Sequence, residues 1–285
     1  MNALKTALLL GLLSSVLILG GGAIAGQQGL VMGLVLAVGM NFFSYFYSDK
    51  MALSMYRAQP VTPEQNTPIY NRVYPLVQQL TVRMGLPMPK LWVIPEHTPN
   101  AFATGRDPNH ASVAITVGLL EMMNDRELEG VVAHELGHVR NRDILISSIA
   151  ATVASAITYL SYFGMFFGGG RDDEDGGPMA ALAMMILGPL AAGMIQMAIS
   201  RTREFSADNA AAEFTGSPDG LISALKKLDA GTRRIPMQHG DPSTAHMFIM
   251  NPFRAGGMAR LFSTHPSTED RIRNLEAQRG AIHPV

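Results

Sequence analysis

Apolar residues along this chain follow two regimes. In four stretches, roughly Ala7–Ala25, Leu30–Tyr47, Ile144–Phe167 and Pro178–Ser200, they run almost without interruption. Each is about long enough, at ~1.5 Å per helical residue, to cross a hydrocarbon core ~30 Å thick. The first two carry Gly20, Gly21, Gly22, Gly33 and Gly39, and small residues let helices approach closely in lipid. The second closes with Phe42, Phe43, Tyr45, Phe46 and Tyr47, an aromatic belt of the kind found at a membrane–water interface. Pro189 predicts a kink in the fourth. Lys5, the first run and Ala23-Ile24-Ala25 also fit a cleaved secretory signal. Because the second run follows at once, the pair reads better as a hairpin that stays in the membrane.

Elsewhere the pattern is periodic. Asn66–Met84 puts Ile69, Val73, Leu76, Val77 and Leu80 on one helical face, and Leu86-Pro87-Met88-Pro89 ends it. Leu91–Ile94 and Ser112–Val117 read as short strands, and Gly105-Arg106-Asp107-Pro108-Asn109 before the second is a turn signal. A helix opens at Asn124, with Glu127 three residues on in a capping-box pattern, and continues through Leu128, Val131, Val132 and Leu136. Thr202–Phe214 is the next helix, stopped by Gly216, and Leu221–Leu228 another. Ala230–Thr264 has no convincing period and reads as a loop or covering segment; Glu269–Gln278 looks like a short terminal helix.

The expected organisation is a two-span hairpin over 1–48, a hydrophilic block over 49–143, a second hairpin over 144–200 and a second hydrophilic block over 201–285. Lys5, Lys50, Arg57, Arg140, Arg142, Arg201 and Arg203 fall on one side of such a membrane. The other side has uncharged Gly20–Gly29 and the loop Arg171–Gly177, where Arg171 faces Asp172, Asp173, Glu174 and Asp175. The positive-inside rule then puts both termini and both hydrophilic blocks in the cytoplasm.

Composition narrows the classes further. Charged residues make up 16% of the 285, against roughly 25% in soluble domains. Lys5 is the only charge before Asp49, so a simply soluble chain is excluded. The low charge and a mean hydropathy of +0.15 exclude disorder. A net charge of −1 excludes a globally basic nucleic-acid binder, so no nucleic-acid partner is expected. The absence of cysteine excludes disulfides, thiolate metal sites and cysteine nucleophiles.

The candidate chemistry lies in His134-Glu135-Leu136-Gly137-His138, inside the helix that opens at Asn124. Four helical residues turn the chain by about 400° and raise it about 6 Å, so both imidazoles leave one face and can meet one metal ion. Glu135 beside them is placed to take a proton from a water held there. Two histidines, a carboxylate and an open position suit catalytic zinc, one ion per chain. Membrane topology points to the third ligand. The histidine helix ends at Asn141-Arg142-Asp143 and runs into the third apolar stretch, while the fourth returns at Ser200. Packed antiparallel spans hold their ends about 8–10 Å apart, so the segment after Ser200 emerges beside the histidines. It carries Glu204, expected as third ligand, and Asp208 one turn later, expected to accept the other ring N–H of a liganding histidine. The metal would sit roughly 10 Å above the bilayer. His97, His110, His239, His246 and His283 read as solvated loop or terminal residues, Trp92 as core, and Lys226-Lys227 as a solvated helix face.

Together, His134-Glu135-Leu136-Gly137-His138-Val139-Arg140-Asn141-Arg142-Asp143, Arg203-Glu204-Phe205-Ser206-Ala207-Asp208, Asn100-Ala101-Phe102-Ala103-Thr104-Gly105 and Ser263-Thr264-His265-Pro266 resemble the M48 family of membrane zinc metalloproteases. The resemblance covers nearly the whole chain. It implies an α-helical integral membrane protein of about four transmembrane helices with a mainly α, α+β gluzincin-type domain. It implies an inner-membrane endopeptidase acting on misfolded membrane or unfolded proteins, with membrane quality-control proteases as partners. Carried over residue by residue, it gives His134, His138 and Glu204 for zinc and Glu135 as base. Asn100 would then line the substrate cleft and His265 would face the reaction centre, donating to the oxyanion; the competing role for His265 is to cap or staple the last helix. Two other functions compete. An intramembrane metalloprotease would have to bury Asp125, Arg126, Glu127, Glu129, Arg140, Arg142 and Asp143 in lipid, at about 2.5–3.5 kcal/mol each. A membrane scaffold or adaptor with a structural zinc would have no use for Glu135.

Overall fold

The computed structural model describes residues 2–147, 149–150, 201–234, 249 and 266–279. The expected spans over Ile144–Phe167 and Pro178–Ser200 therefore lie almost wholly outside the described residues, as do His265 and nearly all of the segment 235–265.

Helix α1 (Asn2–Met55) doubles back on itself at Gly26, whose φ is +58°. Its two halves pack antiparallel. A Cβ on Gly33 would strike the carbonyl oxygen of Leu17, and one on Gly21 that of Gly29. Asn41 Nδ2 donates to Ser14 Oγ at 2.8 Å and to the Leu10 carbonyl at 3.4 Å across the seam. The two halves of α1 thus form a helical hairpin, and Asn41, which the apolar pattern hid, ties it. By length and composition, Gly26–Met55 is apolar enough to cross a membrane; Leu4–Leu19 is apolar but shorter. Val31, Met32, Val35, Val38 and Phe42 are each more than half exposed, far more contiguous apolar surface than water tolerates.

After α1 the chain forms β1 (Gln59–Pro60), α2 (Thr67–Met84), β2 (Lys90–Ile94), β3 (Ala101–Gly105), a 3₁₀ turn (Pro108–His110), β4 (Ala111–Thr116), α3 (Val117–Met122) and α4 (Asp125–Arg140). Beyond the undescribed stretch come α5 (Arg201–Thr215), α6 (Asp219–Arg234) and α7 (Thr268–Ala277). The sheet order is β1-β2-β4-β3. β4 pairs parallel with β2 (Leu91 opposite Val113) and antiparallel with β3 (Ala103 opposite Val113), leaving β3 as an edge strand. Two short elements, β1 and α3, carry too few residues to show a period, so the pattern did not reveal them.

The main core joins α2 (Val73, Val77, Leu80), the sheet (Val113, Ile115), α4 (Leu128, Val131, Val132, Leu136), α6 (Leu221, Leu225, Leu228) and α7 (Leu275). Two smaller clusters tie α1 to the rest. Leu9 and Leu13 pack on Ile146 and Ile149. Ala52, Leu53 and Tyr56 pack on Ile94 and Phe102, with Trp92 partly buried beside them. The expected solvated face of Lys226-Lys227 is corrected at one position. Lys226 is exposed, but Lys227 Nζ sits 2.7 Å from Glu127 Oε2. Glu127 is buried at the first turn of α4, and a buried carboxylate requires a partner.

The central helix α4 is approached closely at two points, two turns apart. Gly130 lies against the backbone of Leu221, and Gly137 lies 3.1 Å, measured from an ideal Cβ, from Ala207 Cα on α5. Replacing Gly137 by Leu should force α4 and α5 apart and destabilise the full chain by about 1–3 kcal/mol, read as a lowered Tm in detergent. Gly39→Leu, where nothing lies within 4 Å, is the control; equal Tm for the two variants would contradict this packing.

Candidate metal centre

α4 begins with the expected capping box: Glu127 N donates to Asn124 Oδ1 at 3.0 Å, and Asn124 N donates to Glu127 Oε2 at 2.9 Å. Ser223 Oγ donates to Glu127 Oε1 at 2.6 Å, which fastens α6 to the same turn. The helix then carries His134, Glu135 and His138 through the buried interior, with the ring centroids of the two histidines 4.8 Å apart and nearly perpendicular. α5 brings up Glu204 and Asp208, both buried.

His138 Nε2 lies 3.4 Å from Glu204 Oε1, and His134 Nε2 lies 3.8 Å from Glu204 Oε2. One ligand atom from each of the three residues falls within 4.8 Å of the others. Tetrahedral coordination at ~2.0–2.1 Å separates neighbouring ligand atoms by about 3.3 Å, so the donor set and its spacing fit a zinc-sized cation after small adjustments.

Behind the ligands lie the groups that orient them. His134 Nδ1 is 2.9 Å from Asp208 Oδ1. Arg271 Nη2 also approaches that ring nitrogen, at 3.2 Å, and one nitrogen cannot both donate and accept. Donation from Nδ1–H to Asp208 is the tautomer that leaves the Nε2 lone pair for a metal. Arg271 clamps Asp208 with Nε to Oδ2 at 2.9 Å and Nη2 to Oδ1 at 2.6 Å. Its Nη1 donates to the Ile249 carbonyl at 3.1 Å. On the other histidine, Nδ1 is 3.3 Å from Asp143 Oδ2. Glu135 Oε2 accepts the backbone N–H of Ala103 on β3 at 2.9 Å.

These contacts set the charge states. Burial depresses His134 to about 4, helped by the Arg271 charge and opposed by Asp208. Burial also pushes Glu135 up to about 8; His138, the Ala103 amide and Arg271 pull it back, while Glu204 adds to the rise. For His138 burial works downward, but Asp143, Glu204 and Glu135 outweigh it and hold the ring protonated up to about 9. Asp208, despite burial, is held low by Arg271 and His134.

Of the residues singled out in the sequence, His134, Glu135, His138, Glu204 and Asp208 therefore converge. Asn100 is buried at the head of β3, its N–H donating to Thr116 Oγ1 at 2.8 Å and its Oδ1 accepting from Ala101 N at 3.1 Å. His265 lies outside the described residues; the cap of α7 is Ser267, which accepts from Asp270 N at 3.0 Å. The histidines His97 and His110 pair with Glu121 and Asp107, far from any ligand role. Arg271, Asp143 and the Ala103 amide were missed. An arginine four residues before Leu275, on the same face, was the one available signal for Arg271.

A family model described as peptidase family M48 matches residues 70–279. A protein named "Protease HtpX homolog" from Methylibium petroleiphilum is 50% identical over 279 residues, covering 97% of each chain. One of the same name from Ralstonia pickettii is 52% identical over 278 residues, covering 96% of each. The crystal structure of S. mikatae Ste24p aligns with a TM-score of 0.51 at 17% identity, covering 97% of this chain and 63% of that one; this likeness is one of fold alone.

A cation at the three ligand atoms must displace the proton that His138 otherwise keeps up to about pH 9. Metal affinity should therefore rise at least about tenfold per pH unit between pH 6.5 and 8, one proton or more leaving per ion bound. His134, depressed to about 4, contributes nothing in that window. Chelator competition in detergent measures this; a pH-independent affinity would contradict the charge assignment.

Proposed function

The chain belongs to peptidase family M48 and is a membrane metalloprotease that hydrolyses peptide bonds, and we propose that its ion is zinc, held by His134, His138 and Glu204. The observation that carries this reading is the convergence of those three ligand atoms from two helices, with Glu135 adjacent on the ligand helix.

When bound, zinc acidifies the attacking water and polarises the scissile carbonyl. Glu135 takes the proton that the water loses. Glu135, raised to about 8 chiefly by burial, would ionise more readily beside a bound cation and so serve as a base near neutral pH. As the C–N bond breaks, the same carboxyl returns the proton to the departing amine. Asp208 and Arg271 hold the His134 ring while this happens. His265 donates an N–H to the oxyanion, a contact whose loss costs typically about 10²–10³ in rate.

Substrate enters as an extended segment along β3, with Asn100 at its head. The Ala103 amide and the Ala101 carbonyl, which accepts from Ile249 N at 3.3 Å, point away from β4. Both groups are engaged within the chain, so a substrate backbone would take the place of Ile249 beside the Ala101 carbonyl; such pairing recognises backbone rather than sequence, which suits an enzyme clearing misfolded membrane or unfolded proteins beside other quality-control proteases. In this reading the chain is a multi-pass bacterial inner-membrane protein. Hairpins over 1–48 and 144–200 anchor a gluzincin-type domain built from 49–143 and 201–285, and that domain and both termini are cytoplasmic. The exposed charges Asp125 and Arg126 at the start of α4 support a site outside the hydrocarbon.

Inverted inner-membrane vesicles carrying the chain should cleave added casein when zinc is present, and right-side-out vesicles should not. Glu135→Gln should abolish cleavage, by at least about 10³-fold, while the purified variant still binds one zinc. Substantial cleavage by zinc-loaded Glu135→Gln would refute the role of the base. Cleavage confined to right-side-out vesicles would overturn the orientation.

A further inference from the structure

Each of the two histidines has a carboxylate and then an arginine behind it. Behind His134 Nδ1 stand Asp208 and then Arg271. Behind His138 Nδ1 stand Asp143 Oδ2, at 3.3 Å, and then Arg203, whose Nη1 is 3.8 Å from Asp143 Oδ1. The Asp143 side chain is 4% exposed, and Arg203 precedes the third ligand Glu204 on α5.

Asp143 reaches this position through the way α4 ends. Arg142 N donates to the Val139 carbonyl at 3.1 Å, and Asp143 N donates to the His138 carbonyl at 2.9 Å. This pair of bonds is the Schellman arrangement, which needs a left-handed residue at its centre. Arg142 takes that conformation, with φ +59°, although it is not glycine. The turn folds the chain back so that the residue after it lies against the histidine one turn earlier. A helix that simply ran on would carry Asp143 away from the His138 ring.

We propose that Asp143 is a positioning residue for His138. Its carboxylate accepts the Nδ1–H and turns Nε2 toward the ion, and the charge of Arg203, 3.8 Å away, favours the ionised carboxylate. This rests on His138 being a metal ligand. Nε2 does face the ligand cluster, 3.4 Å from Glu204 Oε1, so one ring nitrogen serves each side. A carboxylate behind a liganding imidazole fixes its tautomer and raises its basicity, typically worth about 10–100-fold in metal affinity. The pair has a second consequence. Asp143 is the last residue before the third apolar stretch and Arg203 the third after the fourth, so residues flanking those stretches on both sides bear on the orientation of His138.

The test measures zinc affinity of the full chain in detergent by chelator competition, with the Tm of the zinc-free protein and the visible spectrum of the cobalt-loaded form. Asp143→Ala should bind zinc about 10–100-fold more weakly and alter the cobalt d–d bands, with the zinc-free Tm little changed. Asp143→Asn, which keeps an acceptor but loses the charge, and Arg203→Met should show smaller losses in the same direction. If Asp143→Ala fails to fold, Asp143→Asn decides: weaker zinc binding at unchanged zinc-free Tm supports the role, and wild-type affinity overturns it. His138→Ala serves as the reference. Wild-type affinity in the Asp143 variants beside lost affinity in His138→Ala overturns the positioning role and leaves the ligand set standing. Unchanged affinity in His138→Ala overturns the ligand set itself.

Discussion

The contact between α4 and α5 at Gly137 and Ala207 is the constraint on which the site depends. The histidines occupy one helix and the carboxylates Glu204 and Asp208 the other, so the donor atoms meet only where the two backbones come unusually close. Gly137 sits inside the His134–His138 turn, and Ala207 lies between Glu204 and Asp208. Small residues at that crossing are therefore as necessary to the chemistry as the ligands. Two turns earlier along the same face, Gly130 against Leu221 lets α6 close over the start of α4, and the Glu127–Lys227 pair locks it there.

This close approach buries His134, Glu135, Asp143, Glu204, Asp208 and Arg271 in one region. Isolated, each charge would cost several kcal/mol to remove from water, so every one of them is engaged. Arg271 neutralises Asp208 and lies 3.8 Å from Glu204; Asp143 sits between His138 and Arg203; Glu135 takes a backbone amide from the edge strand. The terminal helix α7 thus does more than cover the core through Leu275. It delivers the cation that holds the Asp208 carboxyl low despite burial and that lies 3.8 Å from Glu204, and so makes α7 part of the candidate metal centre.

Much of this was legible in the sequence wherever a period or a short spacing carries the information. The capping box at Asn124, the helix over Thr67–Met84 and the shared face of His134 and His138 follow from local rules. Glu204 and Asp208 could be placed because two apolar stretches, read as a returning pair of spans, put the segment after Ser200 beside the histidine helix. Contacts set by tertiary packing left less trace. Arg271 pairs with a residue sixty-three positions away, and an arginine inside a short polar helix gives no sign that it is buried beyond its spacing from Leu275. Asp143 looked like the polar end of a helix because its approach to His138 depends on Arg142 adopting a left-handed conformation, which favours glycine. Lys227 looked solvated because its partner Glu127 lies on another helix.

X-ray absorption at the zinc edge of the purified full-length protein tests most directly whether these three side chains hold the ion. Two imidazole nitrogens at about 2.0–2.1 Å, with one or two oxygens at about 2.0–2.2 Å, is the expected coordination, and one imidazole should disappear from the scattering in His138→Ala. A zinc site with no imidazole scattering, or one unchanged by His138→Ala, would contradict it.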